Sequence, residues 1–285
     1  MTENNLTNQN ATQSGANAPA PFDTNRAQNA PEAGHATVSE DQLAPRSYTT
    51  VFFDLDGTLL PIDTKTFMKG YMASIGRFMA EHGLDAEAGG EALFAGVMAM
   101  GQNDGSATNR DAFWKVFCER MGKSAEEWEP LFMDYYLNRF DEVGAGVEAN
   151  PASAAAVRAL KERGYRLAVT TMPMFPLVAV EARLRWAGLN PEDFAFITTY
   201  ENSTSVKPYE AYYAEALGRA GVTGKEVLMV GNHNREDGGA TKVGCDIYFV
   251  TDHLIETEDG LDVSACKHGT MEEFARFCEA LPAVR

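Results

Sequence analysis

The chain has 285 residues, 45% of them hydrophobic, which is enough apolar material for the buried core of one large domain or two modest ones. This composition excludes a chain that is disordered over its full length. Its 41 acidic and 24 basic residues give a formal net charge of −17. Duplex binding normally requires a dense basic patch, so we expect no nucleic acid partner.

The cysteines and the apolar runs indicate the compartment. The four cysteines lie far apart, with no CxxC pair and no Cys/His cluster of zinc-ligand spacing, so we expect free thiols in a reducing compartment. The longest apolar run, around residues 93–100, is far shorter than the roughly 20 residues that a membrane span needs. No basic segment followed by an apolar one marks a secretory signal. We therefore expect a cytoplasmic protein without a membrane partner.

Taken in chain order, the segments predict an α/β fold. Residues 1–46 are rich in Asn, Ala, Thr, Gln and Pro, which predicts a disordered tail. Residues 49–53, Thr-Thr-Val-Phe-Phe, are typical of a strand that is covered on both faces. Similar runs follow at residues 166–170, 194–199, 227–230 and 247–251. Because helical patterns lie between these runs, we predict a Rossmann-like parallel sheet.

Helical patterns divide the chain into two parts. Three of them, at residues 152–163, 177–187 and 209–220, alternate with the predicted strands. Far more residues than one crossover helix requires lie between the first and second strands. Further helical patterns occupy this stretch, at residues 67–81, 87–100, 110–121 and 126–139. We therefore predict a core of residues 47–62 and 149–285 and an inserted α-helical domain of residues 63–148.

The most informative motif, Asp54-Leu55-Asp56-Gly57-Thr58, follows the first strand directly. In a parallel sheet the carboxyl ends of the strands form the ligand crevice, so Asp54 should face it. Two aspartates two residues apart can divide two tasks, since one attacks an electrophile while the other handles the leaving-group proton. Gly57 permits a tight turn, and Thr58 offers a hydroxyl and a backbone N–H. The alternative, a solvated Asp-Gly turn, is disfavoured by the apolar strand before it.

This motif in this position resembles the haloacid dehalogenase superfamily, most of whose members are magnesium-dependent phosphotransferases with an aspartate nucleophile. The resemblance covers essentially residues 48–285. It implies the Rossmann-like core of that fold, with the helical insertion serving as a type 1 (C1) cap that carries substrate selectivity. It also implies that Asp54 is the nucleophile, that Asp56 is the acid/base, and that Gly57 and Thr58 bind the phosphoryl group.

Two further motifs of this family have candidates here. The second motif is a Thr or Ser at the end of the next core strand, which Thr171 matches, with Thr170 as the alternative. Such a hydroxyl can hold a phosphoryl oxygen as negative charge builds. The third motif is a lysine, matched by Lys207, whose ammonium would offset the carboxylates and the phosphoryl group. Each signal is weak alone, and their order in the chain gives them weight.

The fourth motif departs from the family pattern. Members usually carry G-D followed three or four residues later by D, and these acids hold magnesium. Here residues 231–237 read GNHNRED, so Asp237 matches the second acid, while Asn232 or His233 takes the place of the first, depending on the alignment. The segment resembles a branch of uncharacterised bacterial hydrolases that reads G-N-D, with His233 replacing the aspartate. The implied Mg²⁺ ligands are Asp54, the Asp56 carbonyl, Asp237 and Asn232, with one charge fewer than usual.

The resemblance thus implies hydrolysis of a small-molecule phosphate monoester through a phosphoaspartyl intermediate. Carbon–halogen cleavage is less favoured, because the dehalogenase branch does not need the acid/base that Asp56 supplies. Phosphonate hydrolysis requires a cap lysine, and nothing ties Lys65 or Lys69 to that role. Phosphomutase activity needs a cap that excludes water, which sequence does not show. In a different functional class, Asn232 and His233 are compatible with a catalytically weakened scaffold that binds a ligand or a protein.

Overall fold

The computed structural model describes residues 47–284. The predicted disordered tail, residues 1–46, lies outside this range. Within it the chain forms a six-stranded, all-parallel β-sheet that alternates with helices, which confirms the predicted α/β, Rossmann-like class. None of the helices in the described part combines the length and the apolar character that crossing a membrane requires.

The order of the strands locates the ligand crevice. The strands are β1 (Thr50–Phe53), β2 (Arg166–Val169), β3 (Phe196–Ile197), β4 (Val227–Gly231), β5 (Asp246–Val250) and β6 (Lys267–Gly269). They lie in the order β3-β2-β1-β4-β5-β6, so β1 is flanked by β2 and β4. The chain therefore builds outward on one side of β1 and then returns to build on the other. Ligands of such sheets bind beyond the carboxyl ends of the strands at this switch point.

Five α-helices lie between β1 and β2, and the first four are α1 (Thr64–Glu81), α2 (Ala86–Gly101), α3 (Asn109–Met121) and α4 (Ala125–Asn138). Capping residues explain where they begin, because Asp63 accepts from the backbone N–H of Thr66 and Thr108 accepts from that of Asp111. Aromatic side chains then pack α3 against α4. The rings of Trp114 and Phe132, for example, meet edge to face with centroids 5.3 Å apart.

The remaining helices cover both faces of the sheet: α5 (Pro151–Glu162), α6 (Leu177–Trp186), α7 (Glu210–Ala220) and α8 (Met271–Ala280). Successive side chains of β1 point to opposite faces, as the strand period requires. Val51 and Phe53 join the apolar cluster that contains Phe274 of α8. Phe52 joins the other cluster, with Tyr213 of α7. Double coverage explains why the strands read as continuous apolar runs.

Two elements of the fold have no counterpart in the sequence predictions. Strand β6 has the sequence Lys-His-Gly, which carries no apolar run, and it forms because β5 offers it a parallel partner. Helix α8 follows it and begins with a capping box, in which Thr270 and Glu273 bond each other's backbone N–H.

Asn109 joins the helical insertion to the core. It stands in the first turn of α3 and is fully buried. Its side-chain amide donates hydrogen bonds to the carbonyl oxygens of Pro173 at 3.1 Å and Ser205 at 3.0 Å. Its Oδ1 accepts from the amide of Asn103 at 2.9 Å, and its backbone N–H donates to the carbonyl of Ser203 at 2.8 Å. One side chain thus satisfies buried polar groups of two parts of the chain.

We expect Asn109→Ala to lower the free energy of unfolding by about 2 to 4 kcal/mol, because two buried carbonyl groups and one amide lose their hydrogen-bond partner. Urea denaturation of the intact chain measures this loss. Asn138→Ala is the control, since Asn138 is exposed and its side-chain amide donates across the last turn of α4 to Asp134. Similar small losses in both variants would contradict the role of Asn109 as a junction.

Candidate active site

Main-chain hydrogen bonds bring the predicted site residues to one edge of the sheet. The backbone N–H of Asp54 donates to the carbonyl of Val230 at 2.8 Å, which extends the pairing of β1 with β4. On the other side, the N–H of Thr170 donates to the carbonyl of Phe53 at 2.7 Å. The segments that follow β1, β2 and β4 therefore leave the sheet side by side. The order of the motifs in the chain predicts that these segments lie close together, and the parallel register of the strands explains why they do.

The ammonium of Lys207 lies between two carboxylates at this edge of the sheet. Its side chain is 1% exposed, and its Nζ lies 2.8 Å from Asp54 Oδ1 and 2.6 Å from Asp237 Oδ1. Burial alone would lower the pKa of Lys207, but the two carboxylates raise it well above its ordinary value. The ammonium therefore stays charged and holds together two carboxylates from different strand ends.

Asp54 is a buried carboxylate under opposing influences. Its pKa is raised above the ordinary value, chiefly by burial, while the charge of Lys207 lowers it and that of Asp237 raises it. Its second oxygen, Oδ2, lies 3.2 Å from the hydroxyl of Thr58. The Asp54 carboxylate is thus oriented from both sides, which suits a group that attacks along one direction.

Two glycines of the motifs are required by close approach. Gly57 has φ +82°, and a Cβ there would overlap the side-chain amide of Asn232. Gly231 ends β4, and a Cβ there would overlap the carboxylate of Asp237. Each glycine lets the backbone of one motif approach a polar side chain of the fourth motif. This explains why glycine stands at these two positions.

The fourth-motif segment is held together by its own polar bonds. Asp237 Oδ2 accepts hydrogen bonds from the backbone N–H groups of Asn232 and His233, both at 2.9 Å, while Oδ1 faces Lys207. Burial and the nearby Lys207 lower the pKa of His233 to about 4, so the ring is neutral near pH 7. Its Nδ1 accepts weakly from the N–H groups of Arg235 and Glu236. The imidazole thus caps the turn.

Of the two candidates for the place of the first acid, Asn232 lies in the surroundings of Asp54. Its Oδ1 lies 3.2 Å from the hydroxyl of Thr58, which is also 3.2 Å from Asp54 Oδ2. A hydroxyl has one proton, so it can serve only one of these two oxygens at a time. The carboxylate oxygen of Asp54 and the amide oxygen of Asn232 therefore converge on one point with a single donor between them.

These oxygens can be tested against the magnesium ion that the family implies. Over residues 47–284, no group of three or more His, Cys, Asp or Glu side chains is arranged to hold a metal ion. The converging oxygens of Asp54 and Asn232 are nevertheless hard donors, the type that Mg²⁺ prefers. Both carboxylate oxygens of Asp237 already accept bonds from the protein. The donor set fits Mg²⁺ in type, with Asp237 engaged in holding Lys207 and the turn.

The two threonines after β2 have different surroundings. The Thr170 hydroxyl lies 3.4 Å from the carbonyl of Phe53, so it turns back into the sheet. Thr171 is buried at the strand end, and its main-chain carbonyl accepts from the hydroxyls of Tyr212 at 2.8 Å and Thr198 at 3.0 Å. Of the two alternatives left open by the sequence, Thr170 has its hydroxyl directed at β1, which favours Thr171 as the second-motif residue.

Arg183 is a site residue that the sequence predictions miss. It lies on α6, its side chain is 1% exposed, and its Nη1 forms an ion pair with Asp56 Oδ2. Its guanidinium also lies over the rings of Phe175 and Phe67, at 4.6 and 5.6 Å from their centroids. Burial raises the pKa of Asp56 above its ordinary value, and Arg183 opposes that shift.

One sequence signal could have found Arg183. It stands four residues after Ala179, on the buried face of α6, where helical periodicity predicts an apolar side chain. An arginine on such a face needs a buried partner, because an unpaired buried charge is costly. The sequence does not show which carboxylate that partner is.

We expect Lys207→Met to lower the free energy of unfolding by about 3 to 5 kcal/mol near neutral pH, because two buried carboxylates lose their shared cation. The loss should shrink as the pH is lowered, since protonation of the stranded carboxyls removes the buried charge. Denaturant titrations at several pH values measure both effects. Lys242→Met, at an exposed lysine, is the control. A loss that does not vary with pH would contradict this electrostatic account.

Comparisons with known proteins agree with this architecture. Residues 48–242 match the model of the haloacid dehalogenase-like hydrolase family. No curated protein matches the chain significantly. Similar solved structures include the HAD phosphatase from Thermococcus onnurineus, with 18% identity over 83% of this chain and 100% of that chain and a TM-score of 0.53. The 2-haloacid dehalogenase from Pseudomonas syringae pv. Tomato DC3000 has 22% identity over 80% of this chain and 97% of that chain, and a TM-score of 0.55.

At these identities the solved structures show a common fold and nothing finer. The match to the family model is the stronger result, since it covers most of the chain and includes the strand-end residues from Asp54 to Asp237. Together with the parallel sheet, it shows that this chain belongs to the haloacid dehalogenase-like hydrolase family.

Proposed function

We propose that this hydrolase is a Mg²⁺-dependent phosphatase that acts on a small-molecule phosphate monoester through a phosphoaspartyl intermediate. The observation that carries the proposal is that two aspartates at the end of one strand are paired with different buried cations. Asp54 is paired with Lys207, whereas Asp56 is paired with Arg183. Two carboxyl groups in different electrostatic surroundings can serve as nucleophile and as acid/base in one site.

In the first step a carboxylate oxygen of Asp54 forms a bond to phosphorus. The bond from phosphorus to the oxygen of the leaving alcohol breaks, and Asp56 gives that oxygen its proton. Lys207 and the hydroxyl of Thr171 stabilise the charge on the phosphoryl oxygens. The backbone N–H groups of Gly57 and Thr58, expected from the sequence to do the same, instead donate to the carbonyls of Leu60 at 2.8 Å and Leu55 at 3.2 Å. Burial favours the protonated form of Asp56 that this step needs.

In the second step Asp56, now a carboxylate, removes a proton from a water molecule. The oxygen of that water forms a bond to phosphorus, and the bond from phosphorus to Asp54 breaks. Inorganic phosphate leaves, the Asp54 carboxylate is regenerated, and Asp56 holds a proton for the next substrate. Lys207 holds Asp54 in place through both steps.

The proposed ligands of Mg²⁺ are the carboxylate of Asp54, the main-chain carbonyl of Asp56, the amide oxygen of Asn232, and Asp237. The ion supplies positive charge that offsets the phosphoryl oxygens. Convergence of the Asp54 and Asn232 oxygens on the hydroxyl of Thr58 supports this assignment. Asp237 can join the set by exchanging one of its present bonds.

We propose that the helical insertion is the type 1 cap of the site. Phe67 of α1 lies over the guanidinium of Arg183, which is itself paired with Asp56. Helix α1 is thus linked to the acid/base through Arg183. A cap in this position excludes bulk water from the acyl phosphate and contacts the leaving group.

Asp56 favours phosphate esters over haloacids as substrates. A halide leaves as an anion and needs no proton, so the first step of dehalogenation does not require a general acid. Asp56 is nevertheless placed beside the nucleophile and has a dedicated buried cation in Arg183. An alcohol leaving group makes use of this arrangement.

A second candidate function is a ligand-binding scaffold with weakened catalysis. The observation that favours it is the fourth motif, where Asn232 and His233 provide no negative charge and both oxygens of Asp237 accept bonds from the protein. Loss of one ligand charge lowers affinity for a divalent cation. The activity assay distinguishes the two candidates.

We expect the chain to release inorganic phosphate from small phosphate monoesters in the presence of Mg²⁺, and to lose this activity in EDTA. Asp54→Asn should lower the rate by about a thousandfold or more, because an amide cannot form the phosphoaspartyl bond. Phosphate release measured over an ester panel tests this. Asp104→Asn, at an exposed aspartate, should keep the rate. A folded chain that releases no phosphate with any metal would favour the scaffold.

His233→Asp should lower the Mg²⁺ concentration that gives half-maximal phosphate release by about tenfold, because it restores a negative charge beside Asp54 and Asn232. Titration of the metal at fixed substrate gives this value. His268→Asp makes the same charge change at an exposed position of β6 and should leave the titration unchanged. Equal shifts in both variants would show a general charge effect and would contradict the assignment.

A further inference from the structure

Arg183 has more hydrogen-bonding capacity than its observed contacts use. Its Nε donates to the carbonyl of Ala179 at 3.3 Å, and its Nη1 pairs with Asp56. Its Nη2 is buried and has no hydrogen-bond partner in the described part of the chain. An unpartnered buried donor on a cation destabilises the protein unless a water molecule or a ligand supplies the acceptor.

Asp56 carries the complementary unpartnered atom. Its Oδ2 faces Arg183, whereas its Oδ1 is buried and accepts no hydrogen bond from residues 47–284. One donor and one acceptor therefore lie unused on the two sides of a single ion pair. The charges of Asp54 and Lys207 act on Asp56, so this pair lies beside the nucleophile.

The surroundings of Arg183 supply no second anion. The rings of Phe175 and Phe67 lie over its guanidinium, and their faces attract a cation but accept no hydrogen bond of normal strength. Asp56 is its one ion-pair partner among the described residues. A guanidinium presents parallel N–H groups that match a carboxylate. An anionic ligand group would thus find a desolvated cation whose Nη2 is available as a hydrogen-bond donor.

We propose that Arg183 binds a carboxylate carried by the leaving alcohol of the substrate, which makes the substrate class the phosphate esters of hydroxy acids. The inference rests on the proposed function, because the ester oxygen must lie at Asp56. Nη2 of Arg183 holds the carboxylate while Nη1 keeps Asp56 in place. The unused atoms belong to one ion pair, so the carboxylate lies within a few bonds of the ester oxygen.

Two phosphonates that cannot be hydrolysed at the ester position test this site without turnover. These are 3-phosphonopropionate, which carries the carboxylate, and propylphosphonate, which lacks it. We expect calorimetry on the intact chain with Mg²⁺ to show that the carboxylate compound binds about tenfold more tightly. The net charge of −17 opposes an extra anion, so such a preference requires a local cation.

Arg183→Gln should abolish the preference, and Arg183→Lys, which keeps the charge but loses the fork, should retain part of it. Arg185→Gln, two residues along α6 at an exposed position, is the matched control and should keep the preference. Melting temperatures show which variants are folded, and Arg183→Lys carries the test if Arg183→Gln is not. Equal binding of the two phosphonates, or binding of neither, would overturn the proposal.

A purely structural role for Arg183 gives a different result. Its variants would then weaken the binding of both phosphonates equally and leave the preference unchanged, which overturns the proposal. The assay also separates this proposal from the proposed function. Phosphate release without a carboxylate preference would refute the role of Arg183 alone. An Arg183-dependent preference without phosphate release would support the carboxylate site and refute the phosphatase.

Discussion

The ammonium of Lys207 between two buried carboxylates is the interaction on which the site depends. Asp54 and Asp237 follow different strands, and without a cation their charges would repel each other in a medium that screens poorly. Lys207 removes this repulsion and is itself kept charged by the pair. The same contact fixes three segments of chain relative to one another. The stability of the fold and the orientation of Asp54 therefore rest on one group.

A second buried cation, Arg183, gives Asp56 electrostatic surroundings that differ from those of Asp54. Asp56 lies two residues from Asp54, but Arg183 is its partner rather than Lys207. Each carboxylate thus has its own counter-ion in a chain whose net charge is −17. The fourth motif differs from these ion pairs, since Asn232 and a neutral His233 contribute dipoles in place of charge. The turn they form is held mainly by hydrogen bonds and less by ion pairs.

Much of the fold follows from local pattern. The pattern of β-branched and aromatic residues that stops at Asp54 predicts β1, and the helical patterns after it predict the helices of the insertion. The structure then shows that Asp63 and Thr108 cap two of these helices. Strand β6 could not be predicted, because Lys-His-Gly carries no apolar run and becomes a strand only through its pairing with β5. Pairing with a distant segment leaves no mark in the residues that are paired.

The sequence by itself determined the α/β class, the helical insertion and the order of the residues at the strand ends, since these depend on periodicity and on turn residues that act within a few positions. Only the tertiary structure decided which charges meet. Arg183 and Asp56 are 127 residues apart, and Lys207 and Asp54 are 153 apart. Such pairs form because the parallel sheet brings strand ends together and burial then forces each charge to find a partner. Which cation pairs with which carboxylate is not visible in any local stretch of sequence.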